Sequence, residues 1–199
     1  MLSIKNLNIN QPRIICKELS INLPIDARLA VIGRNGVGKT TLIEQLLTLK
    51  NLYINNLPLL EQKDNIKQLI AYYSQNHDFY PYITVKELFN FINYDINYYL
   101  KFFDIPNIFL DQLSSGQKQI IYILFSLMQN SKIILLDEPA SNLDWINYRQ
   151  IFDLLLTMQN KYIICATHDI HNLKYFTHIL YLKGDGIWEF SKYKDFKLE

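Results

Sequence analysis

The chain of 199 residues has few cysteines and no excess of either charge. Its two cysteines, Cys16 and Cys165, lie far apart in apolar stretches, which favours two buried, reduced thiols over a disulfide. Its 20 basic and 19 acidic residues give a net charge of +1. Because surfaces that bind nucleic acid usually need a strong basic excess, no nucleic-acid partner is expected.

Long apolar runs are also missing. No uncharged apolar run reaches about 20 residues, the length that crosses a bilayer. The opening MLSIKNLNIN alternates apolar and polar residues, so we expect no secretion signal. With 49% hydrophobic and 20% charged residues, the composition is that of a globular domain. If the protein works at a membrane, another chain is expected to hold it there.

The apolar patterning predicts one α/β domain. The alternating runs LSIKNLNI and IICKELSINL indicate two antiparallel strands, and RLAVIG, KIILLDEP and YIICATHD indicate buried ones. A hairpin is predicted to turn at Asn55-Asn56, and another within HILYLKGDGIWEF. TTLIEQLLTLK and IIYILFSLM have helical spacing. The segment 76–112 is rich in aromatic residues and contains two shorter helical patterns, VKELFNFI and INYYLKFF, so most of its rings are expected to pack a small helical core.

Three of the six glycines fall within the stretch GRNGVGKTT. The pattern Gly33-x-x-x-x-Gly38-Lys39-Thr40 follows a predicted buried strand and precedes a predicted helix. In this context backbone N–H groups and the helix N-terminus can surround a phosphate, the lysine can reach the β- and γ-phosphates, and the threonine hydroxyl can bind Mg²⁺. A flexible surface turn is the alternative interpretation, and the flanking strand and helix argue against it.

Two adjacent acids follow the most strand-like run of the sequence. Asp137 comes after four apolar residues in KIILLDEP, where a carboxylate could bind Mg²⁺ beside the phosphate loop. Glu138 is next, where it could orient or deprotonate a water that attacks a γ-phosphate. The alternative, two surface acids that begin a loop, gives no reason for their position directly after a buried strand.

A second candidate anion site opens the apolar helix near residue 120. LSSGQKQ, at 113–119, places serines and a glycine at a helix N-terminus, where backbone N–H groups are free to bind an anion. The same residues could be an ordinary helix cap.

Taken in order, these motifs resemble the ATP-binding cassette ATPases of ABC transporters over nearly the whole chain. GRNGVGKT resembles the Walker A loop, LSSGQ the signature LSGGQ, and IILLDEP the Walker B strand. YYSQ resembles the Q-loop with Gln75, SNLD the D-loop with Asp144, and THD the H-loop with His168. The resemblance implies an α/β fold with a P-loop NTPase (RecA-like) core, an antiparallel β subdomain and an inserted small α-helical subdomain. The core would comprise about 1–75 and 130–199, and the helical subdomain about 76–129.

The resemblance also implies ATP and Mg²⁺ as ligands and ATP hydrolysis as the reaction. Glu138, His168 and Gln75 would be catalytic, and Mg²⁺ would be bound by Thr40, Gln75 and Asp137. The nucleotide would be bound by the loop residues Gly33, Asn35, Gly36, Gly38, Lys39, Thr40 and Thr41, and across a head-to-tail dimer by Ser114, Gly116, Gln117 and Asp144.

The implied partners are a second copy of the chain, or a paralogous cassette, and a separate transmembrane permease. The chain would then be cytoplasmic, on the inner face of the cell membrane. AYYSQNHDFYPYITVKEL and ATHDIHNLKYFTHILYLKGDGI look most like cassettes of iron-siderophore and cobalamin importers, while the short length matches small haem-exporter cassettes equally well. A cassette ATPase without a membrane partner is the alternative function.

The sequence departs from the family pattern at two places. The family usually has an aromatic residue that stacks on adenine at about Gln11, and none lies near it here, so we expect weak recognition of adenine. Ser115 stands in the signature where glycine is usual, which would strain the backbone if that position needs a positive φ.

Overall fold

The computed structural model describes residues 1–10, 13–61, 69–74, 79–141 and 143–197. Gln75 and the position near Gln11 lie outside the described residues, so the expectations for them stay predictions. The strands are β1 Leu2–Ile9, β2 Cys16–Leu23, β3 Arg28–Gly33, β4 Leu52–Ile54, β5 Leu57–Pro58, β6 Ile70–Tyr73, β7 Ile133–Asp137, β8 Tyr162–Ala166, β9 His178–Gly184 and β10 Ile187–Lys192. The α-helices are α1 Lys39–Leu47, α2 Val85–Asn90, α3 Asn97–Phe102, α4 Ser115–Met128 and α5 Trp145–Thr157.

The strands form two sheets. The antiparallel sheet has the order β2-β1-β4-β5, and the predicted hairpin turns at Asn55 and Asn56, whose φ values are 50° and 67°. The larger sheet has the order β10-β9-β3-β8-β7-β6, in which only the β10–β9 pair is antiparallel. Both predicted hairpins and the predicted α/β fold class are therefore confirmed.

The parallel pairing aligns the ends of the three central strands. Ala166 at the end of β8 pairs with Val31 of β3 on one side and with Asp137 of β7 on the other. The segments that leave β3, β7 and β8 therefore emerge side by side at the carboxyl edge of the sheet, where ligands of open α/β sheets bind.

The larger sheet separates two apolar cores, because successive side chains of a strand point to opposite faces. Leu135 of β7 packs in the core shared with α1 and the antiparallel sheet. Its neighbour Leu136 packs in the core shared with α4, α5 and the short helices. Both side chains are fully buried, which explains why the sequence of β7 is a continuous apolar run.

Part of the aromatic segment packs against α4. The ring centroids of Phe79 and Tyr122 lie 4.9 Å apart, and those of Phe89 and Phe125 lie 5.6 Å apart. Tyr80 and Tyr82, in contrast, are 66% and 65% exposed. Five of the eleven rings in this segment pack in or against the helical core, namely Phe79, Phe89, Tyr94, Tyr99 and Phe103. The other six are exposed, so the expectation that most of the rings pack a core is wrong. The division into core and helical subdomain stays a prediction.

Both cysteines are reduced and buried, as predicted. Burial raises the pKa of the Cys16 thiol to about 11 and that of Cys165 well above its usual value. Among the described residues, no helix combines the length and apolarity needed to cross a membrane.

Lys161 ties the start of β8 to the end of α4. Its Nζ donates hydrogen bonds to the carbonyl oxygens of Gln129, at 2.7 Å, and Ser131, at 3.0 Å. Burial lowers the pKa of this amine. The first bond satisfies the carbonyl group of the C-cap residue Gln129, and the second satisfies that of Ser131 just beyond the helix end.

Lys161→Met is expected to lower the free energy of unfolding by about 1–3 kcal/mol, because two carbonyl groups lose their donor. Lys132→Met is the matched control, since Lys132 is exposed at the neighbouring β7 start and should change stability little. Urea unfolding of both variants measures the difference. Equal stability of the two variants would contradict the role given to Lys161.

Candidate functional site

The glycine loop joins β3 to α1 at the carboxyl edge of the larger sheet. Gly38 is the N-cap of α1, and no side chain caps the helix there. The first turn of α1 also carries no acidic residue. The N-terminal N–H groups and the positive end of the helix dipole are therefore available to an anion from outside the helix.

Two positions of the loop have no room for a side chain, because neighbouring residues pack directly against the backbone there. A Cβ on Gly38, whose φ is +111°, would lie 2.5 to 2.9 Å from three side-chain carbons of Ile15. A Cβ on Gly33 would lie 2.6 Å from the carbonyl oxygen of Leu182. Ile15, which directly precedes β2, and Leu182 of β9 thus pack closely on the loop and fix its path.

Lys39 and Thr40 place their polar groups beside the two acids. Lys39 Nζ donates to the carbonyl oxygen of Gly33 at 3.3 Å and lies 3.4 Å from Glu138 Oε1. Thr40 Oγ1 donates to Asp137 Oδ1 at 3.1 Å. The loop and the end of β7, far apart in sequence, therefore meet as the motif reading predicts.

Asp137 is a buried carboxylate whose negative charge is only partly stabilised by neighbouring groups. It is 6% exposed, and burial raises its pKa, as do the neighbouring charges of Glu138 and Glu44. The hydrogen bond from Thr40 and the charge of Lys39 act in the opposite direction. Because the net shift is upward, the ionised carboxylate would be stabilised by a further cation.

Glu138 is held between two other segments of the site. Its backbone has φ +48°, and its N–H donates to the carbonyl oxygen of Ala166 at 3.0 Å. One carboxylate oxygen faces Lys39, and the other lies 2.7 Å from Nδ1 of His168, which follows β8. Glu138 is therefore the point at which the loop after β3, the end of β7 and the end of β8 come into contact.

Two cavities meet at Glu138. One, of about 280 Å³, is lined by the phosphate loop, and the other, of about 340 Å³, by the segments after β7 and β8. The first is lined by Asn35, Gly36, Gly38, Lys39, Thr40, Thr41 and Glu138. The second is lined by Glu138, Ala140, Ser141, Tyr148, Thr167, His168, Asp169, Ile170 and His171.

The predicted site residues at the starts of α4 and α5 lie outside both cavities. Ser114 caps α4 in a reciprocal pair with Gln117, in which Gln117 N donates to Ser114 Oγ and Ser114 N donates to Gln117 Oε1. Asp144 caps α5 by accepting from Asn147 N at 2.9 Å, and this bond lowers its pKa. With Gly116, none of these residues lines the two cavities.

Ser115 does not need the conformation that only glycine adopts easily. It is the first residue of α4 and is not among the described residues with positive φ. Ser115 therefore carries none of the backbone strain that a positive φ would impose.

The sequence did not predict the packing of Ile15 on the loop or the direct contact between Glu138 and His168. No local pattern reveals either one, since each joins segments more than 20 residues apart. The contact between Lys39 and Glu138 was missed for the same reason.

A glycine loop between a buried strand and a helix, with a lysine, a hydroxyl and a buried carboxylate beside it, defines a P-loop nucleoside triphosphatase. The family model described as "ABC transporter" matches residues 16–141. This is more than half of the chain, and the chain therefore belongs to the ABC transporter family, as an ATP-binding cassette ATPase.

Individual relatives agree with this assignment. The petrobactin import ATP-binding protein FatE of Bacillus anthracis is 29% identical, over 87% of this chain and 80% of its own length. The energy-coupling factor transporter ATP-binding protein EcfA of Aster yellows witches'-broom phytoplasma is 30% identical, over 85% of this chain and 71% of its own length. The ADP- and phosphate-bound dimer of the cassette MJ0796 has the same fold, with a TM-score of 0.79, 24% identity and coverage of 98% of this chain and 100% of that one.

Gly38→Ala is expected to lower the free energy of unfolding by about 1–3 kcal/mol, because it combines a left-handed φ with a clash against Ile15. Gly116→Ala is the control, since nothing lies within 4 Å of its Cβ position and the backbone there is helical. The control should gain up to about 1 kcal/mol from helix propensity. Chemical unfolding measures both, and equal losses would contradict the packing constraint on Gly38.

Proposed function

We propose that this chain binds MgATP in the cavity at the phosphate loop, hydrolyses it with Glu138, and drives transport by a separate membrane subunit. The observation that carries the proposal is the position of Glu138, with Lys39 on one carboxylate oxygen and His168 on the other. The carboxylate thereby lies where the loop that would hold the phosphates meets the cavity beyond it.

The phosphates of ATP fit the phosphate loop. The uncapped N-terminus of α1 offers backbone N–H groups, and Lys39 supplies a positive charge in a nearly buried position. Gly33, Asn35, Gly36, Gly38 and Thr41 are proposed to complete the cradle. On arrival of the nucleotide, Lys39 would exchange its contacts with Gly33 and Glu138 for phosphate oxygens.

Thr40 and Asp137 fit a magnesium ion. Their side-chain oxygens lie 3.1 Å apart, and hard oxygen ligands are the ones that Mg²⁺ prefers. The raised pKa of buried Asp137 indicates a carboxylate that gains from a nearby cation. When bound, the ion supplies neutralisation of phosphate charge. Gln75 is proposed as a further ligand by family resemblance.

Hydrolysis is assigned to Glu138 and His168. The Glu138 carboxylate would orient a water for attack on the γ-phosphate or accept its proton. The contact through Nδ1 of His168 restrains the orientation of that carboxylate. Gln75 is proposed to contribute to the same step on the basis of its motif.

Each site is proposed to be completed by a second chain. Ser114, Gly116, Gln117 and Asp144 lie away from the cavities of their own chain. In a head-to-tail dimer, the N-terminus of α4 would meet the γ-phosphate of the partner's ATP, and Asp144 would cross the interface. Trp145 and Ile146, next to Asp144, are 62% and 67% exposed, which is consistent with a covered surface. A homodimer is proposed, with a paralogous cassette as the other option.

The names of the relatives favour transport over a soluble role. FatE is named for petrobactin import and EcfA for an energy-coupling factor transporter. We therefore place this chain on the cytoplasmic face of a membrane, bound to a permease of the importer type. A cassette ATPase with no membrane partner remains the alternative.

Glu138→Gln is expected to keep ATP binding, to lose hydrolysis by at least about 100-fold, and to trap an ATP-bound dimer. Glu44→Gln is the control, because Glu44 is a nearby acid that lines neither cavity. Phosphate release measures turnover, and light scattering with ATP measures the dimer. Wild-type turnover in Glu138→Gln would refute the assigned role.

The exposed pair Tyr80 and Tyr82 is proposed to contact the permease. Tagged Glu138→Gln protein, isolated from detergent-solubilised native membranes with MgATP, should bring down a polytopic protein in stoichiometric amount. Adding Tyr80→Ala and Tyr82→Ala should abolish that recovery, whereas adding Tyr98→Ala, at an equally exposed ring on α3, should not. Recovery of the chain alone from every sample would favour the soluble alternative.

A further inference from the structure

Gln119 is a buried polar side chain on the helix that begins at the signature residues. It is 7% exposed and lies in α4, three residues, or about 4.5 Å along the axis, beyond Gly116. Its Nε2 donates a hydrogen bond to the carbonyl oxygen of Pro139 at 2.8 Å, in a buried setting. Its side chain also interacts with that of Tyr73, the last residue of β6, and this interaction acts against the burial that raises the pKa of Tyr73.

The bond to Pro139 reaches the turn that carries Glu138. Glu138 has a left-handed φ of +48°, which is unfavourable for a residue with a Cβ and persists where the surroundings enforce it. On the side of β8, Ala166 accepts a hydrogen bond from the N–H of Glu138. On the side of α4, Gln119 donates a hydrogen bond to the carbonyl oxygen of Pro139, the residue after Glu138. The turn is thus fixed from both sides, once by the sheet and once by α4.

We infer that Gln119 is a positioning residue that couples the N-terminus of α4 to the catalytic turn of the same chain. This inference rests on the proposed function, in which Ser114 and Gly116 bind the partner's ATP while Glu138 acts on the ATP of its own chain. A movement of α4 on contact with the partner's γ-phosphate is then transmitted through Gln119 to Glu138. Within each chain, the residues that contact the partner's ATP are therefore coupled to the residue that acts on the chain's own ATP.

The directionality of the bond distinguishes this arrangement from apolar packing. An apolar side chain at this position would let α4 shift relative to the turn without losing a hydrogen bond. If the Gln119 amide moves away from the Pro139 carbonyl, however, both groups stay buried without a partner, which costs free energy. The free-energy cost of breaking the bond therefore keeps helix and turn in register.

The same helix offers a matched control. Ser126 is also buried and polar, and its Oγ donates to the carbonyl oxygen of Tyr72 of β6 at 3.2 Å and to that of Tyr122 at 3.1 Å. It therefore joins α4 to β6 just as Gln119 does, but its bonds do not reach the turn at Glu138. Loss of Ser126 tests the effect of a buried polar contact on α4 without the link to the catalytic turn.

The test compares Gln119→Met, which keeps the length of the side chain and removes the amide, with Ser126→Ala. In Gln119→Met, kcat is expected to fall at least about tenfold while KM for ATP stays within about twofold, since binding groups are untouched. Combined with Glu138→Gln, it should still form the ATP-bound dimer. Ser126→Ala should keep kcat within about twofold of the wild type. Tyr73→Phe, which leaves the bond to Pro139 in place, should behave like Ser126→Ala.

A kcat for Gln119→Met equal to that of Ser126→Ala would overturn the inference and leave Gln119 a packing residue. If Gln119→Met does not unfold cooperatively, Gln119→Asn is measured instead, because its amide is one methylene too short to reach Pro139, and the same loss of kcat is expected. The proposed function fails in a different way, through an inactive wild type or an active Glu138→Gln. The two failures are therefore separable in one set of assays.

Discussion

The parallel pairing of β8 with both β3 and β7 is the constraint on which the site depends. This pairing places Ala166, at the end of β8, opposite Asp137 at the end of β7 and opposite Val31 near the end of β3. The glycine loop, the acid pair and His168 follow these three strands, so their side chains meet without any loop having to reach far. The register is itself fixed by two apolar cores, since a shift of one residue would exchange Leu135 with Leu136 between them.

The buried carboxylate of Asp137 lowers the stability of the folded protein at neutral pH, and neighbouring groups offset part of that loss. Burial raises the pKa of Asp137, so this carboxyl contributes more to stability at low pH, and that contribution is lost as the pH rises through its folded-state pKa. At neutral pH the ionised group is a source of instability that Thr40 and Lys39 offset in part. Under the proposed function, the magnesium ion that accompanies ATP would offset the remainder.

Local patterns predicted the elements of the site and the position of Asp137 beside the phosphate loop, but not the contacts of Glu138. The loop from Gly33 to Thr40 and the acids Asp137 and Glu138 could be identified because strand, turn and helix signals are short-range. The bond from Glu138 to His168 depends on strand order, which the order along the chain does not reveal. The buried position of Gln119 was not predicted either, because the sequence pattern of an amphipathic helix places a glutamine on the solvent-facing side. A serine cap at the N-terminus of α4 was predicted, and Ser114 is that cap, because capping is a property of adjacent residues.

The two buried cysteines have a practical consequence for spectroscopy. Cys16 and Cys165 are both inaccessible, and their thiols resist ionisation, so alkylating dyes should leave them unmodified in the native state. A thiol introduced at a surface position would then be the one place where a fluorophore attaches. Closure and opening of a labelled pair of chains could be followed by energy transfer without first replacing either native cysteine.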